Sequence, residues 1–359
     1  MKAISTILVV ILLVIIIVSI IALFWLFSSS MFGKVSESAE TSTINTMKNI
    51  NYCMSIVRMS KNKIIVRNCG METITADKLT VFMDGRYFDF SLSSSEIATG
   101  SVASLSISLW GVKLGNHELI MSVGGFVLEK KVNVNRPSGP EIVLDARFDE
   151  GLGKTYDSSF YNNNIDINGP TWTSNGMYEN ALIFRGISPP YGSVGVNDSE
   201  VIRLGKIIQV DTWIKTSAIL SNRMAIADRY GGLEPSEYGW LLVITNEGKL
   251  KFHIGEISGL YVDVVGTTDL RDGKWHYVTG NYNGSYVKVF VDGKLEGITP
   301  YTGNIWNESA GVGFYGLTIG ATEDCDCGGE ESSYFDGTID ELRIFNSAEE
   351  PPKYLYLVD

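Results

Sequence analysis

The chain has 359 residues, with 29 Lys and Arg against 41 Asp and Glu, a formal charge of −12, and 45% hydrophobic residues. Such acidity argues against nucleic acid or an anionic membrane face as a partner, since both demand clustered cations. Three histidines (His117, His253, His276) leave little for a His-based metal site or catalytic triad, and 37 glycines among few helical patterns point to turn-rich β structure in two globular domains.

Between Lys2 and Lys34 no residue is charged, and across positions 7–27 only Ser19 interrupts the apolar run. As a helix, rising about 1.5 Å per residue, those positions extend about 31 Å, the thickness of a hydrocarbon core of roughly 30 Å. A cleaved secretory signal predicts a shorter apolar region ending in a small-x-small site, and Leu26-Phe27-Ser28-Ser29 is not one. An uncleaved signal anchor stays open. Lys2-Ala3-Ile4-Ser5, just ahead of the run, resembles the short leader of archaeal type IV pilins and archaellins. That resemblance implies cleavage after Ala3, freeing Ile4, and a helix covered on all faces by lipid or by its neighbours in a filament core. Bacterial pilins usually carry Glu at the fifth mature position; Leu8 stands there, as suits the archaeal type.

Positions 28–60 are more polar, and Glu37, Ser38, Glu40, Thr41 and Thr46 suit an exposed stalk that continues the helix for some turns before the first strand. Positions 53–59 and 63–68 then read as strands around Ser60-Lys61-Asn62, and a hairpin centred on Lys61 sets Cys53 opposite Cys69, near disulfide range. The alternative is two free core thiols; an extracellular setting favours the bond. Further strands at 79–83, 86–90, 102–109, 118–123 and 126–134, with a turn at Asp84-Gly85, predict a small sandwich. Residues 50–135, with Asn68-Cys69-Gly70 after an early strand, resemble the head domains of archaeal pilins, which implies a coat around the filament core.

Asn135-Arg136-Pro137-Ser138-Gly139-Pro140 resists both helix and sheet and marks a linker. Beyond it, three blocks stand in order. They are Leu144-Asp145-Ala146-Arg147-Phe148-Asp149-Glu150-Gly151 with Tyr156-Asp157-Ser158-Ser159; Asp272-Gly273-Lys274-Trp275-His276-Tyr277 with Val287 to Gly293; and Phe335-Asp336-Gly337-Thr338-Ile339-Asp340-Glu341-Leu342-Arg343-Ile344-Phe345. Together they resemble a LamG-like, concanavalin A-like jelly roll. The patterns are also sheet patterns on their own: Val287, Val289 and Val291 alternate with Lys288 and Phe290 before a turn at Asp292-Gly293. His276 reads as a hydrogen-bonded strand residue rather than a catalyst, and Trp172, Trp213 and Trp240 as core rather than sugar platforms.

The jelly-roll resemblance implies calcium, carbohydrate or protein as ligand. Its calcium candidates are Asp157 and the turn holding Asn162, meeting Asp340 from the last strand; the alternative is that these residues cap turns. Cys325 and Cys327 lie in an acidic loop as a close pair, too few thiols for a closed zinc site. Asn197, Asn283 and Asn307 head glycosylation sequons. No nucleophile motif, phosphate loop or His-rich metal motif is present, so an enzyme is not expected.

The fold class expected is therefore mainly β with a long N-terminal hydrophobic α-helix, a small pilin-type β-sandwich and a concanavalin A-like jelly roll. Its divisions are a leader at 1–3, helix and stalk at 4–48, head domain at 49–135, linker at 136–141 and jelly roll at 142–359. The function expected is that of a structural subunit of an archaeal extracellular type IV pilus-like filament. It would be membrane-inserted before assembly, polymerise with itself through the N-terminal helix, and display the jelly roll for adhesion to a glycan or surface protein. The alternative is a monomeric, membrane-anchored surface lectin.

Overall fold

The computed structural model describes residues 51–60, 63–109, 112–139, 141–186, 193–197, 202–219, 223–231, 238–256, 260–305, 316–322, 333–348, 350, 352 and 354–358. The leader site at Ala3 and Ile4, the apolar run and the stalk lie outside the described residues. The fold class is corrected accordingly. The described elements are β-strands with a single 3-10 turn, Ala76–Lys78, and none of the described helices is long and apolar enough to cross a membrane. The fold is all-β. A hydropathy run reports the environment a segment prefers, whereas the residues that build this fold alternate with the period of two that strands require.

Two compact units divide the chain: one includes the residues up to Gly111, Gly115–Val134 and Leu357–Asp359, the other Val112–Leu114 and Asn135–Tyr356. In the first, a four-stranded antiparallel sheet runs in the order Met54–Ser60, Lys63–Asn68, Val102–Ile107, Phe90–Leu92. A five-stranded sheet runs Tyr356–Val358, Phe126–Asn135, Gly115–Val123, Leu79–Met83, Arg86–Tyr87. Each sheet buries alternate side chains, among them Ile64, Val66, Val81, Leu105, Leu119 and Met121. Asp84 and Gly85 both take positive φ, the two-residue turn that matches strand twist.

The first hairpin contains a register shift. Ser60 pairs with Lys63 and Arg58 with Ile65, but Ile56 pairs with Val66 and Met54 with Asn68, so Val57 is an extra residue in its strand. The bulge changes the parity of the strand, which is why Met54 and Met59, five positions apart, are both buried. It also sets Cys53 across from Cys69, and the two form a disulfide with Cα atoms 4.9 Å apart. Next to it, the buried Asn68 side chain donates to the carbonyls of Glu72 (2.7 Å) and Ile97 (2.9 Å) and accepts from the Gly70 amide (2.9 Å). Gly70 is glycine for want of space: a Cβ there would stand 2.5 Å from the carbonyl oxygen of Asn51.

The second unit is two packed antiparallel sheets. One runs Thr171–Thr173, Ala181–Arg185, Asp336–Phe345, Ile208–Lys215, Trp275–Tyr282, Tyr286–Val291, Lys294–Pro300, with Ile142–Ala146 also paired to Asp336–Phe345. The other runs Ile165–Asn168, Ser193–Val196, Leu317–Ile319, Met224–Gly231, Tyr238–Ile244, Leu250–Gly255, Tyr261–Val265. Their facing sides share one core that includes Val287, Val289, Val291, Ile344, Leu242, Phe252 and Trp240. The sheets approach so closely at Gly280 that a Cβ there would lie 2.5 Å from the Phe252 ring.

The opposite side of the first of these sheets is polar and equally buried. Gln209, Asp211, Thr279, Asn281 and Arg343 alternate with core residues on its central strands, each no more than 2% exposed. Trp213, Tyr277 and Tyr354 pack together on the same side, the Tyr354 ring T-shaped to both of the others. A bulge between the pairs Asp211–Arg343 and Trp213–Asp340 places Glu341 at a φ of +54°, and Thr212 secures it by donating to the carbonyl of Asp340 (2.8 Å).

Candidate functional site

Where Ile142–Ala146 pairs with Asp336–Phe345, Asp145 lies across from Arg343. From that pair an alternating ladder of charges extends in both directions. Arg343 donates through Nε to Asp145 (3.0 Å) and through Nη2 to Glu341. Glu341 also accepts from Arg136 Nε (2.6 Å), and Arg136 Nη2 reaches Asp149 at 2.8 Å. At the other end, Arg147 grips the second oxygen of Asp145 through Nε (2.9 Å) and Nη2 (2.8 Å). Burial opposes the charge on Arg343, yet Glu341 and Asp145 outweigh it and raise its pKa. Burial chiefly lifts the Asp149 carboxyl to about 6, against the pull of Arg136. Burial, then the charge of Glu341, holds Asp340 well above the ordinary carboxylate range.

The loop at 147–163 leaves this ladder as a rigid corner. Phe148, at a φ of +57°, turns its ring into the core, and Asn162 takes a φ of +56° near the far end. Asp157 organises what lies between. Its Oδ1 accepts from the amides of Asp145 and Ser159 (both 2.9 Å); its Oδ2 accepts from Ser159 Oγ (2.8 Å), the Asn163 amide (2.8 Å) and Asn163 Nδ2 (2.6 Å). With its polar groups thus tied inward, the loop exposes Leu152, Tyr156, Phe160 and Tyr161, Phe160 at 77%. Beside it lies a cavity of about 100 Å³ lined by Pro137, Asp145, Arg147, Ser158, Ser159 and Phe160, among others. Exposed rings on a fixed loop, a guanidinium and serine hydroxyls are the parts of a small polar-ligand site.

The residues proposed for calcium are not assembled into one site. Both oxygens of Asp157 are taken by five donors, and Asn162 is exposed. Asp340 bonds elsewhere, accepting from the amides of Met177 (2.7 Å) and Tyr178 (3.4 Å). Among the described residues no group of three or more His, Cys, Asp or Glu is arranged to hold a metal. Asn197 is tied through its amide to the Asn164 carbonyl (3.1 Å). The Asn283 side chain caps its turn, accepting from the amides of Ser285 (3.0 Å) and Tyr286 (2.9 Å). Asn307, Cys325 and Cys327 lie outside the described residues. His276 is a strand residue held by Asp292 (2.9 Å) and Asp272 (3.1 Å), Trp213 and Trp240 are core, and Trp172 packs partly buried against it.

Sequence reasoning did not single out Arg136, Arg147, Glu341 or Arg343. A signal existed: Asp145-Ala146-Arg147 and Glu341-Leu342-Arg343 each place an acid and an arginine two positions apart, on one face of paired strands.

Residues 191–352 match a laminin-G-type family model described as the concanavalin A-like lectin/glucanases superfamily. Over those residues the second unit is similar to that superfamily, and its two packed antiparallel sheets form a jelly-roll sandwich. Among solved structures, the binding domain of Paraclostridial Mosquitocidal Protein 1 is similar with a TM-score of 0.46 and 12% identity, over 59% of this chain and 50% of that chain. A structure titled for the dependence of botulinum neurotoxin type C cell entry on two ganglioside molecules gives 0.45 and 17%, over 59% and 49%. The botulinum neurotoxin serotype D binding domain gives 0.42 and 20%, over 59% and 50%. The chain spans about half the length of these structures.

Proposed function

We propose that this is a non-enzymatic binding protein of the cell surface whose jelly roll takes a glycan, or a glycan-bearing protein, on the 147–163 loop. The observation that carries this reading is the loop itself: Asp157 accepts five hydrogen bonds that hold it, Tyr156 and Tyr161 stand exposed on it, and Phe160 stands exposed at the Arg147 cavity. Rings fixed in advance stack on the C–H faces of sugars with little ordering cost, and hydroxyls and a guanidinium supply direction. Asp145 and Glu341, two of the buried acids of this region, are clamped by arginines, which suits rigidity better than proton transfer. The Cys53–Cys69 bond suits an oxidising compartment.

The finer reading is that the protein is a filament subunit. It is favoured by the uncharged stretch between Lys2 and Lys34 and by Lys2-Ala3-Ile4 ahead of it, and many weak jelly-roll sites on one polymer would act through avidity. A glycan array probed with the full chain and with its Phe160→Ala and Tyr156→Ala variants tests the binding function; wild-type binding that the variants leave untouched refutes this loop as the site. Mass spectrometry of surface material tests the filament, which requires a mature chain starting at Ile4 within fibres visible by electron microscopy. A chain that keeps Met1 and forms no fibres supports the anchored lectin.

A further inference from the structure

We infer that the cavity beside Arg147 is an anion subsite, and that the saccharide this face prefers carries a carboxylate, as a uronic acid does. The inference rests on the glycan-binding reading above and adds the class of sugar. Its basis is an imbalance at the end of the charge ladder. The Asp145 side chain is only 3% exposed and both its oxygens are in use, Oδ1 by Arg343 and Oδ2 by Arg147. The Arg147 side chain is 32% exposed. A guanidinium carries five N–H donors. Nε and Nη2 of Arg147 each direct one toward Asp145, so three remain, two of them on Nη1. The acid is sequestered and the cation is what a ligand meets.

The surroundings fit a carboxylate on a sugar. A cavity of about 100 Å³ has room for a carboxylate beside the Arg147 guanidinium. The sugar ring would then lie outside the cavity, where Phe160 offers an exposed face and Ser158 a hydroxyl. A fork of parallel N–H donors matches the two oxygens of a carboxylate better than a single hydroxyl. The chain's charge of −12 does not forbid this, because at physiological salt the Debye length is about 8 Å and contacts within the cavity decide.

Titration calorimetry of the full chain in 0.15 M salt, with trigalacturonate and with its fully methyl-esterified form, tests the inference. The acid is expected to bind about tenfold more tightly than the ester. Arg147→Gln should abolish that preference by costing the acid more affinity than the ester, Arg147→Lys should keep part of it, and Phe160→Ala should weaken both ligands alike. Equal binding of acid and ester by the wild type, or an undiminished preference in Arg147→Gln, overturns the anion subsite and leaves glycan binding standing. Failure of both sugars to bind also overturns it, and the neutral glycans of the array then judge the parent reading separately.

Discussion

Arg343 bridges two acids that have almost no water. Removing it leaves Asp145 and Glu341, 3% and 0% exposed at their side chains, without that cation between them. Breaking a buried ion pair from one side costs about 3 to 5 kcal/mol, and Arg343→Leu should lower stability by that order in denaturant titrations of the jelly roll. Arg343→Lys should recover little, because an ammonium cannot fork between two carboxylates. Asp149 makes the same region sensitive to pH. Its carboxyl is raised from 3.8 to about 6, chiefly by burial, so the folded state keeps a proton that the unfolded chain releases. Stability should therefore fall as pH rises from about 4 to about 6, by roughly 3 kcal/mol for a shift of about two units. Asp149→Asn should flatten that window. His276 has the same sign at higher pH: Asp292 first, then Asp272, raise its pKa above 6.5, so its contribution is complete below 6.5 and is lost as pH climbs through the folded value. Denaturation midpoints across pH 6 to 9, compared with His276→Gln, measure it.

At the scale of the element, the Val57 bulge decides which residues of the first hairpin meet. Ser60 pairs with Lys63, so an unbroken ladder would bring Cys53 opposite Gly70; the extra residue restores Cys69 as its partner. Deleting Val57 should leave both the disulfide and the buried Met54 in place, since it removes only the unpaired residue. Deleting Ser55 should turn Met54 outward and separate the cysteines. Non-reducing peptide maps distinguish the two deletions. The hairpin also illustrates what a sequence discloses. Counting outward from Lys61 pairs the right cysteines, yet the closing pair of the ladder is Ser60 with Lys63, and the bulge absorbs the difference. Alternation made the strands legible from Leu79–Met83 to Tyr286–Val291, because burial on one face writes itself into neighbouring positions. Asp157 was legible as important but not in its role, since Asp and Asn serve turn capping and cation binding with the same atoms. The ladder was least legible: Arg136 and Glu341 are 205 positions apart, and only sheet pairing brings them together.

On the scale of the whole molecule, the chain leaves the first unit at Val134, builds the jelly roll, and returns at Leu357. Its last described strand, Tyr356–Val358, is the edge strand next to Phe126–Asn135. A chain ending at residue 355 should thus destabilise the first unit alone. Its melting transition should move down while the fluorescence of the buried Trp213 and Trp240 in the jelly roll keeps its own midpoint. A shift of the tryptophan transition instead would contradict this division.

That return strand also determines how the molecule would carry tension. A pull between residue 51 and residue 358 has both of its grips in the first unit, and it is transmitted through the hydrogen bonds between Tyr356–Val358 and Phe126–Asn135 before any strand of the jelly roll is stretched. As long as those bonds hold, the jelly roll is a slack loop in the force path. In a single-molecule stretching trace the first rupture should belong to the first unit, and the jelly roll should extend only afterwards.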